Sequence, residues 1–559
     1  MTLMWLVCVV RPITISELRE ALAIKINASC LGSDDFSSTE SIVEACKGLA
    51  TIRKDSVIQL LPHTAREYLG SNFGWLGEPS IRGLAVAEAA ERATAIAHRG
   101  ITLKLLAYLS FDIFESGPCL NRIQYLNRKK PNGLYSYGGC YWGDHLKSSG
   151  PYISDIVDLD TSSLLTHLLG SEKKWASCIE PLEDCYSFST LGLLWGYQDP
   201  FTRLHLAAFC GVKPLVTALL GSHQVNAQDA SGRDSLSYAA EKGHVDVVMS
   251  LLKAGAHVDI VDTDAKTPLA HAAQSGHEEV VRCLVKEKAD IERKCTFNWT
   301  PLALAVMDGH RTVAELLLEE GADIQARDFL NRTPLALAAK NGQSSAVEYL
   351  LRKNANAEAR DDDDQTPLLQ ATRGGHIAAA RVLLNWGVDI EARDCGQSMA
   401  LINAARAGHV SLVKTLFEKG CDVEARTRHG MTALSYAVLT DHEKTKSLRS
   451  RNYDSDINEL GGAEAEENFE MCQLLLDNKA SPNGTGAADW SPLMEAVSLG
   501  RADITRFLLR AGADPNLGPP ITLAARHDHV EIVRALTIAG ADTESLETKT
   551  WEFVETEAV

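Results

Sequence analysis

From about residue 198 to 545, short apolar runs arrive in pairs. A run such as Leu302-Ala-Leu-Ala-Val306 is followed, after a glycine, by a second such as Val313-Ala-Glu-Leu-Leu-Leu318, and a polar stretch precedes the next pair. Each pair reads as two short helices joined by a turn. The first 70 residues follow another pattern. Apolar spacing predicts helices over Leu3–Val10 and Ile15–Ile24, the second capped by Thr14 with Glu17 as its partner three residues on. A third short helix is expected over Ser41–Cys46. Leu49 to Leu61 reads as two strands around a Lys54-Asp55 turn, and His63–Leu69 as one more helix.

The paired runs keep a fixed period. Thr-Pro-Leu starts at Thr267, Thr300, Thr333 and Thr366, each 33 residues after the last. The same step reaches Met399-Ala-Leu401 and Thr432-Ala-Leu434. Earlier come Thr202-Arg-Leu204 and Asp234-Ser-Leu236, and later Ser491-Pro-Leu493 and Pro519-Pro-Ile521. Glycine recurs nine residues into most units (Gly211, Gly243, Gly276, Gly309, Gly342, Gly375, Gly408, Gly500), often followed by histidine. Gly-Ala-Asp or a relative closes the second run, as at Gly321-Ala-Asp323. Each position has a physical task. Threonine caps the first helix, proline fits a first turn that needs no amide hydrogen, and glycine accepts a left-handed backbone at the helix end. A lone unit cannot bury its apolar side, whereas a stack forms one elongated core.

Ten recurring units of this kind resemble the ankyrin repeat family over residues 198–545. The expected fold is mainly α: an ankyrin-repeat solenoid preceded by a small winged-helix-like α+β segment at 1–72 and a helical spacer at 73–197, with a tail at 546–559. Met399-Ala400 in place of Thr-Pro should weaken that cap by about 0.5–2 kcal/mol. A charged stretch near 441–467 interrupts the unit starting at Thr432 and reads as a mobile loop. The unit at Ser491 is short and should lack a full arm.

In the N-terminal third, the phrases Arg11-Pro-Ile-Thr-Ile-Ser-Glu-Leu18, Cys46-Lys-Gly-Leu49 and His63-Thr-Ala-Arg-Glu-Tyr-Leu69 resemble the winged-helix segment that follows the NACHT module in fungal NLR-like (STAND) ankyrin proteins. Ala107–Asp112 and Tyr141–His145 continue the resemblance. No G-x-x-x-x-G-K-[ST] loop occurs in the chain, so the phosphate cradle of that module is missing. The resemblance therefore implies a truncated relative of a signalling ATPase, or a fragment of one, rather than an ATPase.

Composition narrows the function classes. Hydrophobic residues make up 45% of the 559 and charged residues 23%, with a formal charge of −19. That acidity disfavours nucleic acid and anionic membranes, and favours a protein partner with a basic patch. Thirteen cysteines lie as singletons, which reads as reduced, mostly buried thiols in the cytoplasm or, alternatively, the nucleus. The apolar N-terminal stretch is too short to span a membrane and lacks the marks of a leader.

No catalytic, cofactor or metal site is expected. Most repeat-domain histidines occupy the Gly-His turn position, His145 beside Trp142 reads as core, and Asp361–Asp364 lacks the glycine turn and distal glutamate of a calcium loop. The resemblance implies a partner-binding face at positions four, three and one before each Thr and seven and eight after it. From the units at Thr300, Thr333 and Thr366 these positions yield the candidates Phe297, Trp299, Met307, Phe329, Leu330, Arg332, Asp362, Asp363 and Arg373. Aromatic and arginine anchors of this type carry much interface energy, and the two aspartates are expected to meet basic groups. The implied function is protein–protein interaction, as the ligand-sensing or scaffold part of an NLR-like protein. The alternatives are a substrate adaptor for a ubiquitin ligase and, disfavoured, an enzyme.

Overall fold

The computed structural model describes residues 5–6, 8, 10–25, 30–31, 36–46, 50–53, 56–60, 86–114, 119, 122–148, 201–221, 224–439, 463–484 and 490–543. The expected helix at His63–Leu69 and the C-terminal tail lie outside them. Two compact units divide the chain, Met1–Asp290 and Ile291–Val559.

The first unit opens with helical Trp5, Leu6 and Cys8, then a three-stranded antiparallel sheet of order β1-β3-β2: Ile13–Thr14, Val57–Leu60 and Ala50–Ile52. Two of these strands were expected. The third, Ile13–Thr14, is too short to leave a period-two pattern. The helix Ile15–Ala23 starts as predicted: Thr14 Oγ1 accepts from Glu17 N and the Glu17 carboxylate from Thr14 N. A shorter helix runs over Thr39–Ala45.

A long helix, Val86–Leu109, packs against Tyr135–Ser148, and their buried faces share side chains with the N-terminal piece. Trp5 meets Tyr137 edge-on at 5.9 Å, and Val10 N donates to the Tyr137 hydroxyl. The buried Glu20 carboxylate accepts from Gly133 N, Leu134 N and the Tyr108 hydroxyl. Burial pushes Glu20 above its ordinary pKa, while those three donors pull it down. His145, fully buried, joins His98 (Nδ1 to Nδ1, 2.7 Å) and the Tyr137 hydroxyl. The helix Tyr135–Ser148 also touches the first repeat helix, Arg203–Cys210. There an added methyl on Gly143 would lie 2.5 Å from Cys210 Cβ, so that contact requires a glycine.

Ten described cysteines are free thiols, most of them buried or half-buried. Cys140 is disulfide-bonded, which corrects the expectation of reduced thiols throughout.

From residue 201 onward the described residues form helical hairpins in both units. The first helices are Arg203–Cys210, Ser235–Glu241 and Pro268–Ser275 in unit one. In unit two they are Pro301–Met307, Pro334–Lys340, Pro367–Arg373, Ala400–Arg406, 433–439, Pro492–Ser498 and Pro520–Arg526. Thr267, Thr300, Thr333, Thr366 and Ser491 cap their helices through the side-chain oxygen, and Met399 makes no such bond. Helix Ala463–Asp477 takes in Ala463 to Glu467, so the stretch expected to be a loop ends sooner than the sequence suggested. The segment 441–462 lies outside the described residues.

The Gly-His dipeptide has a tertiary meaning. His277 Nε2 bonds the Glu241 carbonyl of the preceding repeat at 2.8 Å, with its ring against Gly243, and His244 treats Phe209 and Gly211 likewise. Both glycines have φ near +74°. The position therefore demands glycine twice, for its backbone and for the ring above it.

Candidate partner-binding face

Ahead of each of the first five hairpins of the second unit the chain makes a five-residue turn. Its first N–H bonds the fifth carbonyl: Cys295 to Trp299, Asp328 to Arg332, Asp361 to Gln365, Asp394 to Ser398 and Thr427 to Met431, at 3.0–3.2 Å. The fourth residue takes positive φ in each (Asn298, Asn331, Asp364, Gln397, Gly430), the conformation asparagine, aspartate and glycine tolerate best. Where the first residue is aspartate, its Oδ1 accepts from the third and fifth N–H groups, as Asp361 does from Asp363 and Gln365. The acidic run 361–364 is thus a turn. Among the described residues no group of three or more metal-ligating side chains is placed to hold an ion.

Neighbouring turns are hydrogen-bonded at their tips, Phe329 N to Phe297 O, Asp362 N to Leu330 O, Cys395 N to Asp363 O and Arg428 N to Gly396 O. Basic side chains brace them from one arm to the next: Arg327 Nη1 donates to Arg360 O, Arg360 Nη1 to Arg393 O and Arg393 Nη1 to Arg426 O. The tips therefore form one ordered row.

On that row the aromatic candidates meet. Phe297 lies 4.9 Å from Trp299 and 5.5 Å from Phe329, centroid to centroid. Packing against one another does not hide them. Phe297 stays 49% exposed, Phe329 47% and Leu330 38%. Trp299 is half-buried and donates Nε1 to Asp328 Oδ2 at 3.3 Å.

Arg332 is a correction. It is 5% exposed, and its guanidinium forms an ion pair with Asp328 at 2.6 Å beneath Phe329. A charge so deep needs its partner, and Asp328 four residues earlier supplies it. Arg332 thus supports the ridge rather than lining the open face. Met307 is half-buried at the end of its helix, where its carbonyl accepts from Gln343 Nε2. Asp362 and Asp363 are exposed on the next turn, and Asn331 Nδ2 donates to Asp362 Oδ1.

Arg373 is exposed and lines a cleft of about 340 Å³, together with Asp363, Asp394, Arg406, Thr427 and Arg428. Only Arg373 and Asp363 of these were singled out from the sequence. The same positional rule applied to the units at Met399 and Thr432 would have yielded Cys395, Gly396, Arg406, Arg428 and His429, all of which also line the cleft.

The repeats match a family model described as ankyrin repeats (3 copies), over residues 185–262, 250–328, 326–394, 394–459 and 462–546. Residues 1–82 match a model described as GPI inositol-deacylase, winged helix domain. Among solved structures the chain is similar to the crystal structure of human ASB11 ankyrin repeat domain. Identity is 28%, coverage 40% of this chain and 99% of that one, and the TM-score 0.37. No curated protein matches the chain.

Proposed function

The chain belongs to the ankyrin repeat family, a fold that serves as a protein-interaction module, and from that premise we propose that it grips a partner protein along the turn tips of its second unit, as the sensing or scaffold part of an NLR-like signalling assembly. One observation carries the placement: three aromatic rings and Leu330 are held in order on adjacent tips while Phe297 and Phe329 keep about half their surface in water. Exposed apolar surface of that kind is costly unless something covers it. The winged-helix match at the N-terminus supports the signalling context, because such a segment resembles the one that follows a NACHT module. Asp362 and Asp363, on the next tip, suit basic groups on the partner. Ten free thiols among the described residues and the overall acidity support a cytoplasmic or nuclear setting, while the Cys140 disulfide stands against a fully reducing one.

The test is capture of partners by the full chain and by the Trp299→Ala/Phe329→Ala double variant, with thermal unfolding measured alongside. The expected outcome is loss of the captured protein with a melting temperature within a few degrees of the parent. Retained capture, or a collapse of stability, would overturn the placement. Recovery of ubiquitin-ligase subunits instead would favour the adaptor role.

A further inference from the structure

The cleft beside the aromatic ridge has an unusual charge environment for so acidic a chain. Arg373 and Arg406 stand at the C-terminal ends of two consecutive first helices, Pro367–Arg373 and Ala400–Arg406, and Arg428 on the turn after them. All three are exposed, and none has a carboxylate partner among the described residues, although elsewhere in the unit Arg311, Arg332 and Arg352 each pair with an acid on their own element or turn. Three arginines that line one cleft without an ion-pair partner, and outnumber the two aspartates in its wall, are a site for carboxylates, which the planar guanidinium engages with two parallel hydrogen bonds.

A second, independent feature lies at the same place. Thr427 lines the cleft, is 7% exposed, and its hydroxyl has no hydrogen-bond partner among the described residues. On the helix that ends in Arg406, buried Asn403 likewise has neither side-chain atom bonded. Other repeats resolve this helix position differently. Tyr238, His271 and Gln370 each bond the second carboxylate oxygen of their own turn aspartate, Asp229, Asp262 and Asp361. At Asn403 the shorter side chain makes no such latch to Asp394. Buried polar groups are ordinarily paired, so the unspent Thr427 hydroxyl in the wall of a cationic cleft points to a ligand that completes it.

We infer that the Arg373–Arg406–Arg428 cleft is an acidic-peptide subsite, taking a Glu or Asp side chain of the same partner segment that crosses the aromatic ridge. The inference rests on the reading that the turn tips are the binding face. A carboxylate side chain fits better than a nucleic-acid backbone, because the three guanidiniums meet at one cleft and, with Asp363 and Asp394 in its wall, offer no continuous cationic track for successive phosphates.

The test uses the full chain and a fluorescein-labelled hexaglutamate peptide, read by anisotropy, with hexalysine and a ten-nucleotide oligothymidine as the other arms. Saturable hexaglutamate binding is expected, weakened at least tenfold by Arg406→Glu and several-fold by Thr427→Val, with hexalysine and oligothymidine binding more weakly. Arg428→Glu, on an exposed turn, serves as a second variant should Arg406→Glu fail to fold. Bound hexaglutamate should also slow alkylation of the exposed Cys395 in the cleft, located by peptide mass mapping. The inference falls if the arginine variants leave hexaglutamate binding unchanged, if Cys395 is not protected, or if oligothymidine binds as tightly. The Trp299→Ala/Phe329→Ala variant should still bind hexaglutamate, so failure of the ridge and failure of the cleft give separate results.

Discussion

Replacing Gly243 by alanine probes the device that joins one repeat to the next. Gly243 has φ +74°, a conformation that costs an L-residue about 1–2 kcal/mol. Its new methyl would lie 2.5 Å from His277 Nδ1. The imidazole must leave, and with it goes the bond from Nε2 to the Glu241 carbonyl, worth about 0.5–1.5 kcal/mol net. Adding the lost ring packing, Gly243→Ala should destabilise by about 2–4 kcal/mol, well above the median for a single substitution. His277→Ala alone removes the same ring and bond but not the backbone strain. The double variant should therefore cost little more than Gly243→Ala alone, about 1–2 kcal/mol less than the sum of the singles. Urea unfolding followed by circular dichroism gives the midpoints, and hydrogen exchange over residues 235–286 checks that the loss is local, as a repeat array permits. Additivity within about 0.5 kcal/mol would refute the coupling, as would a neutral Gly243→Ala.

Three further outcomes follow from particular contacts. Asp328→Ala leaves the Arg332 guanidinium buried without its counter-charge and should cost about 3–5 kcal/mol in urea titration, whereas doubling the change with Arg332→Leu should recover part of that loss. Thr333→Ala removes the bond to Ala336 N and should cost about 1 kcal/mol, with Thr333→Ser milder because it keeps the hydroxyl. Burial lowers His98 to about 4 and, with the neighbouring His98 adding to it, lowers His145 to about 3, against about 6.5 unfolded. The unfolded chain thus takes up these protons first. The pair's stabilisation is complete above pH 6.5 and is lost as pH falls from there, toward about 4 for His98 and about 3 for His145. His145→Asn should flatten that part of the stability–pH curve, and an unchanged slope would contradict the assignment.

The repeats were legible because each task falls on a fixed position and recurs: Thr333 as cap, Gly342 at positive φ and Asn331 at the turn corner all stand where the period places them. What escaped the sequence depends on long-range pairing. Arg332 occupies a position expected to face outward, and only the fold shows that Asp328 and Trp299 enclose its surroundings. Nothing local in the sequence marks Glu20 as buried, because its partners Gly133 and Leu134 are more than a hundred residues away. The strand Ile13–Thr14 is shorter than any periodicity can register. The arginine cleft is built from three consecutive units, those at Thr366, Met399 and Thr432, and no phenylalanine, tyrosine or tryptophan at the outward positions of the last two marks them in the sequence.

The proposed function stands on the turn tips of the second unit, and not the second helices of its hairpins, meeting the partner. A photo-crosslinking phenylalanine analogue placed at Phe329 on a tip, and separately at Glu319 on the second helix of a hairpin, tests it directly, since both positions are exposed. The account predicts a discrete crosslinked species from position 329 that excess parent chain competes away and the Trp299→Ala/Phe329→Ala variant does not. Crosslinking from position 319 with nothing at 329 would contradict it.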